Sequence, residues 1–292
     1  MHYVISGTTS GTGDRVIQRL RDKVGVENIT CLVRASSDTK LLKSLGMKIH
    51  VGDVTEPESI QSVLNTDTIY IDMTHPKYYH KSLEAVVQAG VKRAYFITTT
   101  GIFSKYNRYS QIYVENEAKI RNSGITYTIL RPSMIYGSMR DKNMHKLIGF
   151  LAKFPVFPLF GGGASMMQPV FVDDLADGIV AAIGDPRTEN QEYNLAGPRA
   201  ISYGEIVDTI LKQLGRKTKK LNINTALAAN IARVAQHIPL FPVTQEQVLR
   251  LQEDKVFDIS KAQAELNYRP RDFAEGIKTE IAEMRAAGAI KA

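Results

Sequence analysis

At 292 residues, with 43% hydrophobic and 23% charged side chains, 21 Gly and 11 Pro, the chain has enough apolar material for two compact units or one large one, which excludes wholesale disorder, a collagen-like repeat and a long coiled coil. Thirty-seven Lys and Arg against 30 Asp and Glu give +7. The basic residues are spread along the chain, and the one dense group, Arg216, Lys217, Lys219 and Lys220, falls at the end of a predicted helix, so a phosphate-welcoming groove is expected rather than nucleic-acid binding.

Taken in chain order, short β-branched runs alternate with helical patterns. Strands are predicted at His2 to Ile5, Ile29 to Val33, Lys48 to Val51, Thr68 to Met73, Arg93 to Thr98 and Thr126 to Leu130. Between them lie helices at Asp14 to Val24, Thr39 to Leu45, Pro57 to Leu64, Tyr78 to Ala89 and Ser110 to Asn122. This is an α/β chain with a Rossmann-type doubly wound parallel sheet. After Pro132 the parallel order is expected to end: a helix at Lys142 to Lys153, a loop at Phe154 to Gly163, a helix at Val172 to Ile183, a short strand at Glu192 to Leu195, and helices at Tyr203 to Leu214, Thr225 to Gln236, Ser260 to Leu266 and Phe273 to Ala286. The division expected is a nucleotide-binding domain over 1–135 and a mainly helical substrate lobe over 136–292, with some segments returning to the sheet. Cys31, the single cysteine, excludes an internal disulfide. The stretches Leu147 to Phe160 and Ala226 to Val243 are too short or too interrupted to cross a bilayer, and Met1 leads directly into Tyr3-Val4-Ile5, so a reduced, cytoplasmic protein is expected.

The most informative segment is Val4-Ile5-Ser6-Gly7-Thr8-Thr9-Ser10-Gly11-Thr12-Gly13, a strand entering a Gly-rich turn that opens a helix. Glycines let the backbone approach a pyrophosphate, and the helix N-terminus offers unpaired amides, so Gly7, Thr9, Ser10, Gly11, Thr12 and Gly13 are read as an anion cradle, the Ser10 hydroxyl itself able to donate. Where an acidic residue would meet a ribose 2′-hydroxyl stands Arg34, followed by Ser36 and Ser37, with no carboxylate before Asp38. That favours NADP, with NAD as the alternative. Asp53, followed by Val54, either meets the adenine or closes a turn. Met73 and Thr74, after the fourth strand, are placed for cofactor contact.

These pieces resemble the extended or atypical branch of the short-chain dehydrogenase/reductases, the nucleoside-diphosphate-sugar epimerase-like and NmrA-like proteins. The resemblance also rests on Leu32-Val33-Arg34, Gly52-Asp53-Val54, the run from Ser123 to Pro132, Gln168 to Leu175, Tyr193 to Pro198 and Asp258 to Ala262. It adds Pro132 to the cofactor-binding residues. It implies NAD(P) chemistry and places a substrate-holding hydroxyl at Thr99, the Tyr of Y-x-x-x-K at Tyr109 and the Lys at Tyr113. The chain departs from the pattern there, because no Tyr in this helix is followed four residues later by Lys. A phenol without an adjacent cation stays near pKa ~10 and donates a hydrogen bond better than it accepts a proton. Thr99, Tyr109 and Tyr113 are therefore expected to polarise a substrate oxygen in an NAD(P)-dependent oxidoreductase. The alternatives are a nucleoside-diphosphate-sugar epimerase or dehydratase and a non-catalytic NAD(P)-binding redox sensor. A small-molecule substrate and a possible homodimer complete the expectation.

Several residues carry two readings. His75 is a proton donor or a turn residue before Pro76. The run Phe154 to Phe160 lines an apolar pocket, touches a membrane surface or packs between lobes. Arg140 and Asp141 face the cleft or form a helix-start ion pair. Asp173 and Asp174 cap the following helix rather than form an acid/base pair, since adjacent helical residues do not face each other. One Cys and six scattered His show no metal-ligand spacing, and no G-x-S-x-G elbow is present.

Overall fold

The computed structural model describes residues 1–141, 143–224, 249–250 and 253–291. Strands β1 (His2–Ser6), β2 (Ile29–Val33), β3 (Lys48–Val51), β4 (Thr68–Asp72), β5 (Arg93–Ile97) and β6 (Thr126–Pro132) alternate with helices α1 (Gly11–Val24), α2 (Lys40–Ser44), α3 (Glu58–Gln61), α4 (Tyr79–Gln88) and α5 (Ser110–Arg121). There follow β7 (Ile135–Tyr136), α6 (Met144–Lys153), β8 (Val156–Phe160), β9 (Met166–Met167), β10 (Val170–Phe171), α7 (Val172–Ala182), β11 (Gln191–Leu195), β12 (Ile201–Ser202), α8 (Tyr203–Leu214) and β13 (Lys219–Ile223). Helices α9 (Ser260–Glu265) and α10 (Phe273–Ala286) end the described chain. The helix expected over Thr225 to Gln236 lies outside the described residues.

The main sheet has the order β11-β6-β5-β4-β1-β2-β3, parallel throughout, with the order reversing between β4 and β1. Alternation within each strand feeds two cores. Tyr3, Ile5, Ile29, Cys31 and Ile71 pack with Val16, Ile17 and Leu20 of α1 and with Leu175 and Ile179 of α7 on one face. Val4, Leu32, Tyr70 and Phe96 pack with Leu83 and Val86 of α4 on the other. Burial on both faces is what leaves nearly continuous apolar runs in the sequence. A third core joins α6, α8, α10 and the inward face of β8.

The structure corrects four expectations. Parallel order does not end after β6: β11 pairs with it in parallel, Tyr193 opposite Leu130, and adds a seventh strand. The segment expected as a loop from Phe154 to Gly163 contains β8, which forms a two-stranded parallel ribbon with β13. The basic group lies beyond its helix, because α8 stops at Leu214 with Gly215 left-handed at φ 69°, and Lys219 and Lys220 stand on β13. Asp173 and Asp174 do not cap α7, whose N-cap position is Phe171. The step of about 100° between adjacent helical residues sends them apart: Asp173 takes Arg19 at 2.9 Å, bracing α7 against α1, while Asp174 receives the Arg271 guanidinium at 2.8 Å and its amide at 2.8 Å.

Candidate functional site

The glycine turn sits at the carboxyl end of β1, beside the point where strand order reverses, the usual ligand crevice of such sheets. Gly7 has φ +78°, and a Cβ there would lie 2.5 Å from the Met73 carbonyl oxygen; a Cβ on Gly13 would lie 2.3 Å from that of Gly7. Both positions therefore need glycine, the first for its left-handed backbone and the second so that α1 can close on the turn. A Cβ on Gly11 would meet only side chains at ordinary contact, the Ser138 hydroxyl at 3.4 Å and the Arg140 Cβ at 3.7 Å, and no backbone. Ser10 is the N-cap of α1: its hydroxyl donates to the Gly7 carbonyl (3.0 Å) and accepts from the Gly13 amide (2.9 Å). That proton is spent within the turn, which leaves the amides of Gly11 and Thr12, ahead of the helix's own hydrogen-bond ladder, for an anion. Arg140 stands over the same helix end, paired with Asp14 and donating to the Thr9 carbonyl at 3.4 Å. Its partner is thus Asp14 and not the adjacent Asp141, which accepts the amides of Asn143 and Met144, each at 2.7 Å, at the start of α6. Small residues, open amides and one cation suit a dinucleotide diphosphate.

Along the same edge, the Ser37 amide donates to the Arg34 carbonyl at 2.9 Å, folding Arg34 to Ser37 into a turn with the Arg34 side chain exposed beyond β2. Asp53 accepts the Thr55 amide and hydroxyl at 2.9 and 2.8 Å, so one carboxylate oxygen closes its own turn, and Val54 is buried in the core beneath. Beyond β4, Thr74 gives both its amide (2.9 Å) and its hydroxyl (2.6 Å) to Asp72. Asp72 is fully buried and also receives Ser6 from β1 at 2.9 Å and Tyr70 at 3.2 Å. This carboxylate ties β1 to β4 directly under the crevice. Sequence reasoning missed it; the one available signal was a charged residue ending an otherwise apolar strand.

At the carboxyl ends of β4 to β6 a cavity of about 1360 Å³ opens toward α6 and α8. Its sheet-side wall holds His75, Thr99, Tyr109 and Tyr113, and its far wall includes Met144, Leu147, Tyr203 and Ile206. Tyr109 and Tyr113 lie one helical turn apart at the start of α5 with ring centroids 6.2 Å apart, and the His75 ring lies 5.8 and 6.1 Å from them. Nδ1 of His75 accepts the Lys77 amide at 3.3 Å, so in the neutral ring the proton sits on Nε2. The Thr99 hydroxyl oxygen accepts the Gly101 amide at 3.0 Å, and Thr100 bonds the carbonyl of Pro132 at 3.2 Å. The expectation of no cation near the phenols is corrected in part: Arg108 and Lys77 lie 4.6 and 5.5 Å from the centre of the Tyr109 ring. Burial, reinforced by Tyr109, pushes the Tyr113 phenol above its ordinary pKa of 10.0, which keeps it a donor.

Behind this wall lies a second unpredicted cluster. Glu117, buried on α5, accepts the Thr98 hydroxyl at 2.9 Å, the Arg131 guanidinium at 2.9 and 2.5 Å and Arg121 at 2.9 Å. Arg131 and Arg121 both continue to Glu192 on β11. Burial pushes the Glu192 carboxyl up, but its bonds to Arg121 and Arg131 outweigh this and hold it at about 2. The network fixes α5 on β5, β6 and β11, and so fixes Tyr113 and Thr99 relative to each other. Among the described residues no His, Cys, Asp and Glu group forms a metal site, and no helix is long and apolar enough to cross a membrane.

Residues 7–150 match the model of a family described as NAD(P)H-binding. The chain is 26% identical over 275 residues to NADH dehydrogenase (ubiquinone) 1 alpha subcomplex subunit 9, mitochondrial, of Arabidopsis thaliana, covering 85% of this chain and 67% of that protein. It is 25% identical over 296 residues to the NAD(P)H azoreductase of Xenophilus azovorans, covering 97% and 99%. It spans about two thirds or less of the length of the first curated relatives it matches. In fold it is similar to an NADPH-dependent quinone oxidoreductase of Escherichia coli, with a TM-score of 0.78, 19% identity, and 97% and 99% of the two chains covered. Residues 7–150 are therefore matched as an NAD(P)H-binding segment, and the fold is that of NAD(P)-binding reductases.

Proposed function

We propose that this chain is an NADP(H)-dependent oxidoreductase that reduces an activated, conjugated acceptor such as a quinone, an enone or an azo compound. The observation that carries the reading is the cavity beside the crevice, where one wall offers hydroxyl donors, Thr99, Tyr109 and Tyr113, and no Lys follows either Tyr at the proton-relay spacing. A bound nicotinamide supplies hydride. The amides of Gly11 and Thr12, with Arg140, hold the diphosphate; Arg34 and the hydroxyls of Ser36 and Ser37 receive a 2′-phosphate; Asp72 keeps Thr74 and the Gly7 turn in register. Tyr109 and Tyr113 donate to the acceptor oxygen or nitrogen on which charge develops, and His75 Nε2–H is a further donor on the same wall. An acceptor whose reduced form is stabilised by conjugation needs little base catalysis, which this wall is poorly equipped to give. The names of the azoreductase and the quinone oxidoreductase support the same class of acceptor.

The test is oxidation of NADPH by a panel of quinones and azo dyes, repeated with Tyr109→Phe and Thr99→Val. Turnover that falls at least about tenfold in kcat in one of these variants, with cofactor affinity unchanged, is expected. Tight cofactor binding without reduction of any acceptor refutes the enzyme reading in favour of a sensor. Conversion of a nucleotide-sugar without net redox change refutes it in favour of an epimerase.

A further inference from the structure

We propose that the outer face of the β8–β13 ribbon, with the adjoining end of α6, docks on an anionic lipid surface. The pairing register fixes what this face presents. Val156 lies opposite Lys219 and Pro158 opposite Leu221, so these four share one side. Phe157 and Leu159 turn the other way into the core, and Lys220 pairs with Asp208 of α8 at 2.7 Å. On the outer side Val156 is 38% and Leu221 45% exposed. Just beyond α6, Phe154 (41% exposed) packs at a tilt on Phe150 (37%) with centroids 4.6 Å apart, and Phe150 in turn meets Phe157 on the inward side at 5.7 Å.

Charge selects the occupant. The segments 142–172 and 209–224 together contain eight Lys and Arg and no Asp or Glu, and of these Lys220 is taken by Asp208. Lys153, Arg216, Lys217 and Lys219, near in sequence to or on the two ribbon strands, are all exposed. Phe, Val and Leu tips rimmed by flexible ammonium groups are the composition of an interfacial surface: the apolar tips enter the headgroup boundary while the cations meet lipid phosphates. A nucleic-acid groove would instead want hydrogen-bonding side chains for phosphates and bases, and has no use for an exposed Val and Leu. The same helix contributes Met144, Lys146 and Leu147 to the cavity lining, the last two lying four and three residues before Phe150, so the face adjoins that cavity.

The experiment is co-sedimentation of the full chain with phosphatidylcholine vesicles with and without phosphatidylglycerol, at low and high salt, alongside competition by a duplex oligonucleotide. Binding is expected only with phosphatidylglycerol, to fall with salt, and to weaken about 25-fold in Lys217→Gln/Lys219→Gln, at about fivefold per removed cation. Phe154→Ser/Leu221→Ser, also at exposed positions, should weaken binding at unchanged charge. Equal or absent binding to both vesicle types overturns the proposal. So does full binding by the Phe154→Ser/Leu221→Ser variant, or displacement by the oligonucleotide through the same lysines, which would make the patch a polyanion site.

Discussion

Replacing Glu117 by Ala tests the claim that a buried charge network, and not apolar packing alone, fixes the cavity wall that holds Thr99 and Tyr113. Glu117 is 1% exposed and accepts from Thr98, Arg121 and Arg131; Arg131 is itself only 7% exposed. Removing one member of a buried pair costs about 3–5 kcal/mol, because the remaining charge is left uncompensated. Here Arg131 keeps Glu192 and Arg121 reaches solvent, so the low end, about 3 kcal/mol, is expected. At roughly 2–4 °C per kcal/mol for a chain of this size, the melting temperature should fall by about 6–12 °C. Urea unfolding of Glu117→Ala, Arg131→Met and the double variant supplies the coupling: the double variant should cost clearly less than the two singles together, since it buries no orphan charge. A Glu117→Ala cost below about 1 kcal/mol, or strict additivity, would refute the reasoning.

Arg34→Ala should lose preference for NADPH over NADH by about 1–3 kcal/mol, read as the ratio of the two kcat/KM values or dissociation constants; an unchanged ratio removes the 2′-phosphate assignment. Gly13→Ala forces a Cβ to 2.3 Å from the Gly7 carbonyl, so nucleotide binding measured by calorimetry should be abolished. Burial, followed by the neighbouring Asp141 carboxylate, raises the Glu280 carboxyl from 4.5 to about 9. The native state thus holds a proton that the unfolded chain releases between about pH 4.5 and 9, so Glu280 erodes stability as pH rises through that window. Glu280→Gln, which can still accept from the Gly137 amide, should show a urea midpoint that declines less between pH 5 and pH 9 than that of the parent chain.

Strands such as Ile29–Val33, buried at every position, were legible because burial on both faces makes a compact apolar run, and the edge strand Lys48–Val51, with no buried residue, also begins and ends where expected. Position in the sheet was not legible. The strand near Glu192 to Leu195 was visible, but its partner β6 lies some 60 residues earlier, and nothing local announces that pairing. In β8 the two prolines around Val156-Phe157 argued for a loop; the ribbon tolerates Pro158 because β8 pairs on one side only within its two-stranded sheet. The same distinction governs the site. The glycine turn and the place of Arg34 are set by backbone conformation and strand-end position, which sequence order records. Asp72 and Glu117 act through partners 66 residues away on β1 and 14 away on β6, so their roles appear only after folding.

This distinction also gives a physical reading of the missing Lys. At its position Tyr113 is 5% exposed and packs against Tyr109 and His75. One turn further along α5, Glu117 is already neutralised from the sheet side by Arg131, which faces away from the cavity. An ammonium at 113 would be a buried cation without a carboxylate of its own, unless it competed with Arg131 for Glu117. A tyrosine fills that space without a charge to compensate and leaves a phenol that donates but does not readily ionise. The helix thus exchanges base catalysis for donor capacity, in keeping with an acceptor that takes hydride without needing a proton removed.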